Sequence, residues 1–552
     1  MSRPRRPFGL AVLLTLLLAL SAMAPAASLG RGPTSTTVAG IDVDATTIPE
    51  LQGLMDGHRL TSVQLVQFYL HRIAKLNPSL NAVITVSPTA LADARAADAA
   101  RRAGDDRPLL GIPIIVKDNI DTTGMPTTAG SWALAGSSPS DAFIVQRLRA
   151  AGALIIGKAN LSEWANFRSI PSSSGWSGIG GQTNMAYVLD RNPCGSSSGS
   201  GVVASADLAV AAVGTETDGS IVCPSGANGI VGIKPTVGLL SRAGIVPISA
   251  DQDTAGPMAR NVTDAAVLLG AMTGIDAADP ATAGQAGNAF TEYTQFLDET
   301  ALAGARIGVW SEGTVFAEDP NDPRVAATDA VMDSAIAALA AQGAVIVEGA
   351  NLDIGPAGAE ELFALECEFK TDIATYLQDH VEGTNPVSGA PYAQTLADLI
   401  AFNEANTDLE GPSATIPWNN AIWEEAEATG GRGDPECDAA RAALTPAAQN
   451  AIDSVMATND LDAIVAPTNG PAWPTDPLNG DDFSLFIGSS SPSAVAGYAS
   501  ITVPAGYVDG VLPIGISFIG GQWDEPTLVG FAYDFEQATG VRVPPTFLPT
   551  LD

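Results

Sequence analysis

The chain has 552 residues, 46% hydrophobic and 16% charged, enough apolar material for a large globular core. A formal charge of −35 argues against binding nucleic acid or an anionic membrane surface. With three histidines, four cysteines and no C-x-x-C or His/Cys cluster, neither a metal nor a cofactor is called for. Lysine is scarce: there are five, and Lys117, Lys158 and Lys234 fall within one Gly/Ser-rich region.

Residues 1–26 read as a secretory signal peptide. Arginines precede an apolar run from Gly9 to about Leu20, too short for a comfortable membrane span, and Ala24-Pro25-Ala26 supplies a cleavage triplet. An uncleaved anchor is the alternative. Arg5-Arg6-Pro7-Phe8 also matches a twin-arginine core, which leaves the export route open. The predicted location is extracytoplasmic, secreted or periplasmic, without stable membrane association after cleavage. In an exported chain cysteines invite disulfides. Cys367 is expected to pair with Cys437, and Cys194 and Cys223 are expected to remain free buried thiols.

A polar leader (27–45) precedes the main body of the chain (46–545), in which no repeat or linker marks a boundary. LTSVQLVQFYLHRIAKLNP predicts an amphipathic helix capped by Thr61 or Ser62 and stopped by Pro78, and ALADARAADAARRAG predicts a second. LLGIPIIVKD predicts a buried strand ending at Lys117, followed by a helix (AFIVQRLRAAG) and a strand (ALIIGKAN). Residues 170–200 have the composition of a flexible linker, yet they run straight into an apolar, helix-like stretch, VVASADLAVAAVG. Residues 283–300 are acidic and loop-like. RIGVW, the helix VAATDAVMDSAIAALAAQG and AVIVEGANL form a β–α–β unit, and an acidic helical region spans 357–460. DAIVAPTNGPAW, SITVPAGYVDG and LPIGISFIGG supply further strands, and TLVGFAYDFEQATG a closing helix. The alternation is that of an α/β sheet.

Two Ser/Gly-rich loops, CGSSSGS and GTETDGSIVCP, carry the chemistry. A serine nucleophile needs a base, and His58, His71 and His380 are all remote from both loops in sequence; Lys117 is the obvious candidate. Gly195–Gly199 formally matches the G-x-S-x-G elbow of α/β-hydrolases, which requires a downstream histidine; only His380 follows, with no strand-end context.

GIPIIVKDNID, CGSSSGSGVVAS and GTETDGSIVCPSGANGIVGIKP, in this order and spacing, resemble the amidase signature family. The similarity continues through DTAGPMARNVTDAA, VAPTNGPAWP and SITVPAGY, covering nearly all of the chain after the signal segment. NLSEWANFR, GGQTN, PCGSSSGS and GTETDGSIVCP are most similar to the peptide amidases of that family, which hydrolyse the C-terminal carboxamide of peptides. The resemblance implies one large α/β domain with a mixed central sheet covered by helices on both faces, acting on a small amide or peptide amide without metal or cofactor. It makes Ser220 the nucleophile, Ser196 the bridging serine after a cis peptide bond, and Lys117 the terminal base. Thr217, Asp218, Gly219 and Ser220 would supply backbone donors to the oxyanion. Asp218 and Glu216 depart from the commoner glycine and aspartate, and Val222 replaces a frequent arginine. Fatty-acyl or aryl amide hydrolysis on this scaffold, or a secreted binding protein with a decayed site, are the alternatives.

As a base Lys117 must be neutral, so burial has to pull its pKa well below about 10.4. Lys158 and Lys234 are expected to be structural. Asp118 and Asn119 either orient Lys117 or cap its loop, and Ser197 and Ser198 are expected to hydrogen-bond within theirs. Trp164, Asn166 and Phe167 are pocket candidates, although a tryptophan in an apolar context is more often core.

Overall fold

Several strands of this chain are buried along their whole length, so the sheet they form must be covered on both faces. They include β2 (Pro113–Lys117), β3 (Leu154–Ala159), β4 (Ala211–Glu216), β6 (Thr254–Ala259), β9 (Ala463–Pro467) and β11 (Leu512–Ile519). The computed structural model describes residues 35–312, 322–354, 357–413, 418–482 and 487–551. The predicted signal peptide and residues 27–34 of the leader lie outside these residues.

With β1 (Val83–Val86), β5 (Val231–Lys234), β7 (Arg306–Val309), β8 (Val345–Glu348) and β10 (Ser500–Val508), the strands make one eleven-stranded sheet. Its order is β8-β7-β9-β11-β10-β5-β6-β4-β2-β3-β1. The pairs β8–β7, β7–β9, β4–β2 and β2–β3 are parallel, and the others are antiparallel. Helices flank this mixed sheet in a single α/β domain, as expected. In the parallel pair β2–β4, Val116 lies opposite Val213. Lys117 and Thr215–Glu216 therefore emerge side by side at the carboxyl ends of adjacent strands, where open α/β sheets place their ligands.

Helix α2 (Ser62–Leu80) is capped by Thr61, which accepts from the Gln64 backbone N–H. Pro78 does not stop it. The helix runs on to Leu80 and ends at Asn81, which adopts a left-handed φ of 48° and donates its N–H to the Asn77 carbonyl, while the Asn77 side chain bonds both Val83 backbone groups at 2.8 Å. The stretch VVASADLAVAAVG is not one helix: α5 (Ser198–Ser205) ends before Asp207, which adopts φ 54°, and β4 follows. Residues 283–300 contain two short 3-10 turns. The acidic 357–460 region folds as α9 (Ala357–His380), α10 (Leu396–Ala405), α11 (Ala421–Ala428) and α12 (Pro435–Asn459).

Cys367 and Cys437 form the expected disulfide, which joins α9 to α12. Cys194 and Cys223 are also bonded, contrary to the expectation of free thiols. Sequence separation gave no hint that the two serine loops converge, and this convergence brings their Cα atoms to 6.0 Å. By loop entropy, bridges closing 29 and 70 residues contribute about 3–4 kcal/mol each. Thiol titration of the denatured, unreduced protein should find no free cysteine, and four after reduction. Two reactive thiols before reduction would show that one bridge is open.

Candidate active site

Lys117, at the end of β2, is fully buried. Its Nζ lies 2.8 Å from Ser196 Oγ, 2.9 Å from Thr215 Oγ1 and 3.3 Å from the Thr215 carbonyl oxygen. Among the described residues it forms no ion pair. Burial pulls its pKa from 10.5 to about 7, against the opposing pull of the Asp253 and Glu216 carboxylates. Ser196 Oγ in turn lies within hydrogen-bond distance of Ser220 Oγ, at 3.0 Å. The sequence-selected Lys117, Ser196 and Ser220 therefore form one hydrogen-bonded chain, leading from a fully buried amine to a hydroxyl on a cavity wall.

Each side chain is placed by its loop. The Gly195–Ser196 bond is cis. A Cβ on Gly195 would lie 2.3 Å from Ser162 Oγ, so only glycine fits against that wall. The Ser196 carbonyl accepts from Ser162 N, and Ser197 N donates to the Ser220 carbonyl, which ties the two loops together. Ser198 hydrogen-bonds within its loop, to the Cys194 carbonyl. Ser197 instead bridges to β4, donating to the Thr215 carbonyl and accepting from Thr215 N. This engages the serine of the G-x-S-x-G reading, while His380 pairs with Asp121 at 2.9 Å on another element.

Glu216, not singled out as a site residue, shapes the turn that carries Ser220. Its Oε2 accepts from Ile221 N at 2.7 Å and Val222 N at 2.9 Å. A carboxylate that ends a strand and precedes a short helix by six residues was the available signal. Gly219 turns with φ 77°. Among the described residues, the backbone N–H groups of Asp218, Gly219 and Ser220 have no protein acceptor. Asp218 directs Oδ2 to the Ser491 hydroxyl at 2.6 Å.

The cavity measures about 210 Å³, and Asn166, Asp218, Ser220, Trp473 and Asp481 are among its lining residues. Asp481 is held by Ser174, Asn192 and Trp473, and burial pushes its pKa to about 6. Trp164 and Phe167 belong to an apolar cluster with α9–α11, so of the three pocket candidates only Asn166 lines the cavity. Asp118 does not touch Lys117. It pairs with the buried Lys158 at 3.3 Å and accepts from Thr128, whereas Asn119 reaches Thr215 Oγ1 at 2.9 Å. Lys234 donates to the carbonyls of Ser493 and Tyr498.

Residues 64–529 match the amidase family model. The chain belongs to the amidase family. It is 40% identical to a probable amidase of Arabidopsis thaliana over 518 residues, 92% of each chain. The native peptide amidase of Stenotrophomonas maltophilia superposes with a TM-score of 0.83 at 46% identity, covering 91% of this chain and 98% of that one. A peptide amidase bound to the competitive inhibitor chymostatin gives a TM-score of 0.84 at 46% identity, with 91% and 99% coverage. This protein is thus an amide hydrolase of the amidase family, structurally close to peptide amidase.

The buried lysines of this chain are of two kinds, one ion-paired and the others bonded only to neutral groups, and they are expected to respond differently to substitution. Removing the Lys158 amine strands the Asp118 carboxylate in the interior. The Lys158→Met variant should lose about 3–5 kcal/mol of stability in denaturant titration, and an unchanged midpoint would show that the pair bears no load.

Proposed function

We propose that this amidase hydrolyses the C-terminal carboxamide of peptides through an acyl-enzyme on Ser220, and that it does so after export from the cytoplasm. The observation that carries the mechanism is the Lys117–Ser196–Ser220 hydrogen-bonded chain. The neutral Lys117 amine has two N–H bonds to give to Thr215 and a lone pair left for the Ser196 proton. With a pKa of about 7, about half of the lysines are neutral near pH 7, the poise that suits a general base.

Ser220 Oγ attacks the carboxamide carbon as its proton passes to Ser196 Oγ and the Ser196 proton passes to Lys117 Nζ. The oxyanion that forms faces the unengaged N–H groups of Asp218, Gly219 and Ser220. The C–N bond then breaks, the relay returns a proton to the leaving nitrogen, and ammonia departs. Water repeats the sequence on the acyl-enzyme, releasing the peptide acid and restoring Ser220. Peptide amides are favoured as substrates by the 46% identity to peptide amidase. A cavity of about 210 Å³ also suits a terminal residue and its carboxamide better than a long acyl chain.

The purified protein should release ammonia from a short peptide amide, and Ser220→Ala should remove that activity at least ~10⁴-fold while leaving the fold intact. Release from a long-chain acyl amide alone would move the substrate class and keep the relay. Because the working form of Lys117 is the deprotonated one, kcat/KM should rise with pH through about 7 and level off above it. A flat profile from pH 5 to 9 would remove Lys117 from the role of base.

A further inference from the structure

Behind the nucleophile turn lies Gln252, fully buried and given no role by any motif of the sequence. Its Nε2 donates to the Thr217 carbonyl at 3.0 Å and to Glu361 Oε1 at 2.5 Å, and its Oε1 accepts from Arg441 Nη1 at 3.0 Å. Both ends of the amide are thereby assigned, since only the nitrogen can face a carbonyl and a carboxylate. Arg441 is itself braced by Glu368, with contacts of 2.6 and 2.8 Å. Glu368 adjoins Cys367, and Arg441 lies one helical turn beyond Cys437, so the second disulfide fixes the helices that carry this brace.

We infer that Gln252 is a positioning residue for the oxyanion site, holding the Thr217–Asp218 peptide so that the Asp218 N–H faces the reacting carbonyl. In a planar trans peptide the C=O and N–H point in opposite directions. Anchoring the Thr217 oxygen on the buried Gln252 turns the Asp218 N–H away from that side, and Asp218 lines the cavity beside Ser220. Thr217 is held a second time, through Oγ1 to Asp253 at 2.5 Å, so the peptide is fixed at both its side chain and its carbonyl. Donors oriented in advance of the reaction stabilise charge that develops in the transition state, and that is where a loss should appear.

This role rests on the acyl-enzyme reading, and the test separates the two. Gln252→Met keeps the length and burial of the side chain but cannot donate; Gln252→Asn keeps the amide but falls one methylene short. In either folded variant, kcat for ammonia release from a peptide amide should fall about 10- to 100-fold with KM within about twofold. Affinity should fall by a similar factor for a peptide aldehyde, whose carbonyl carbon adds Ser220 Oγ while its oxygen takes the hydroxyl proton. A purely structural Gln252 would lower the melting temperature and leave kcat per folded enzyme and aldehyde affinity unchanged, which would overturn the inference. With Ser220→Ala run alongside, an inactive Ser220→Ala enzyme and a normal Gln252→Met enzyme would reject the role of Gln252 alone. An active Ser220→Ala enzyme would reject the acyl-enzyme reading and this inference with it.

Discussion

An amine buried without a carboxylate in direct contact is the constraint around which this site is built. Lys117 and Lys158 are equally buried, one at the end of β2 and the other on the adjacent β3. Lys158 meets Asp118 within ion-pair distance, and the pair can share the cost of leaving water. Lys117 meets only hydroxyls and a carbonyl, so desolvation acts on it without direct compensation and lowers its proton affinity toward neutrality. The same residue type thus sits ion-paired in one strand and hydrogen-bonded only to neutral groups in its neighbour.

For that amine to act, two loops from distant parts of the chain have to stay in register with it. Three ties hold them: the Cys194–Cys223 bridge, the Ser197 N–H to the Ser220 carbonyl, and the Glu216 carboxylate on Ile221 and Val222. One of these ties, from Ser197 to Ser220, runs wholly through backbone groups, which no side-chain substitution on the loops removes directly. The close approach of Gly195 to Ser162 adds a steric limit. Such redundancy suits the proposed relay, because small misplacements of reacting groups cost rate steeply.

The cavity wall is arranged differently. Trp164, Ala165 and Asn166 all adopt left-handed backbone angles, with φ of 49°, 57° and 67°. Each carries a conformational cost of about 1–2 kcal/mol, which the surroundings must offset. Glu163–Arg168, the Trp164 N–H to the Ala129 carbonyl and the packing of Trp164 against Trp423 supply that offset and leave Asn166 facing the cavity. The helical region 357–460, blank in chemistry when read as sequence, therefore contributes Trp423 to the packing behind this wall and Arg441 to the back of the Ser220 turn.

The strands and most helices were legible because burial imprints a pattern on the sequence: PIIVK and LIIGKA are short, nearly continuous apolar runs of the kind that strands covered on both faces require. The order of the Lys117, Ser196 and Ser220 motifs was legible too, since each lies in a short, compositionally distinct segment. What the sequence could not express was proximity across the sheet. The Cys194–Cys223 bond, the bridging of Ser197 to β4, the pairing of Asp118 with Lys158 and the placing of Gln252 behind Thr217 all join positions that no local pattern connects. Local propensity thus determined which residues form strands, turns and caps, whereas strand order and loop convergence determined which buried polar groups meet. That meeting decides which buried lysine has a carboxylate within reach and which does not.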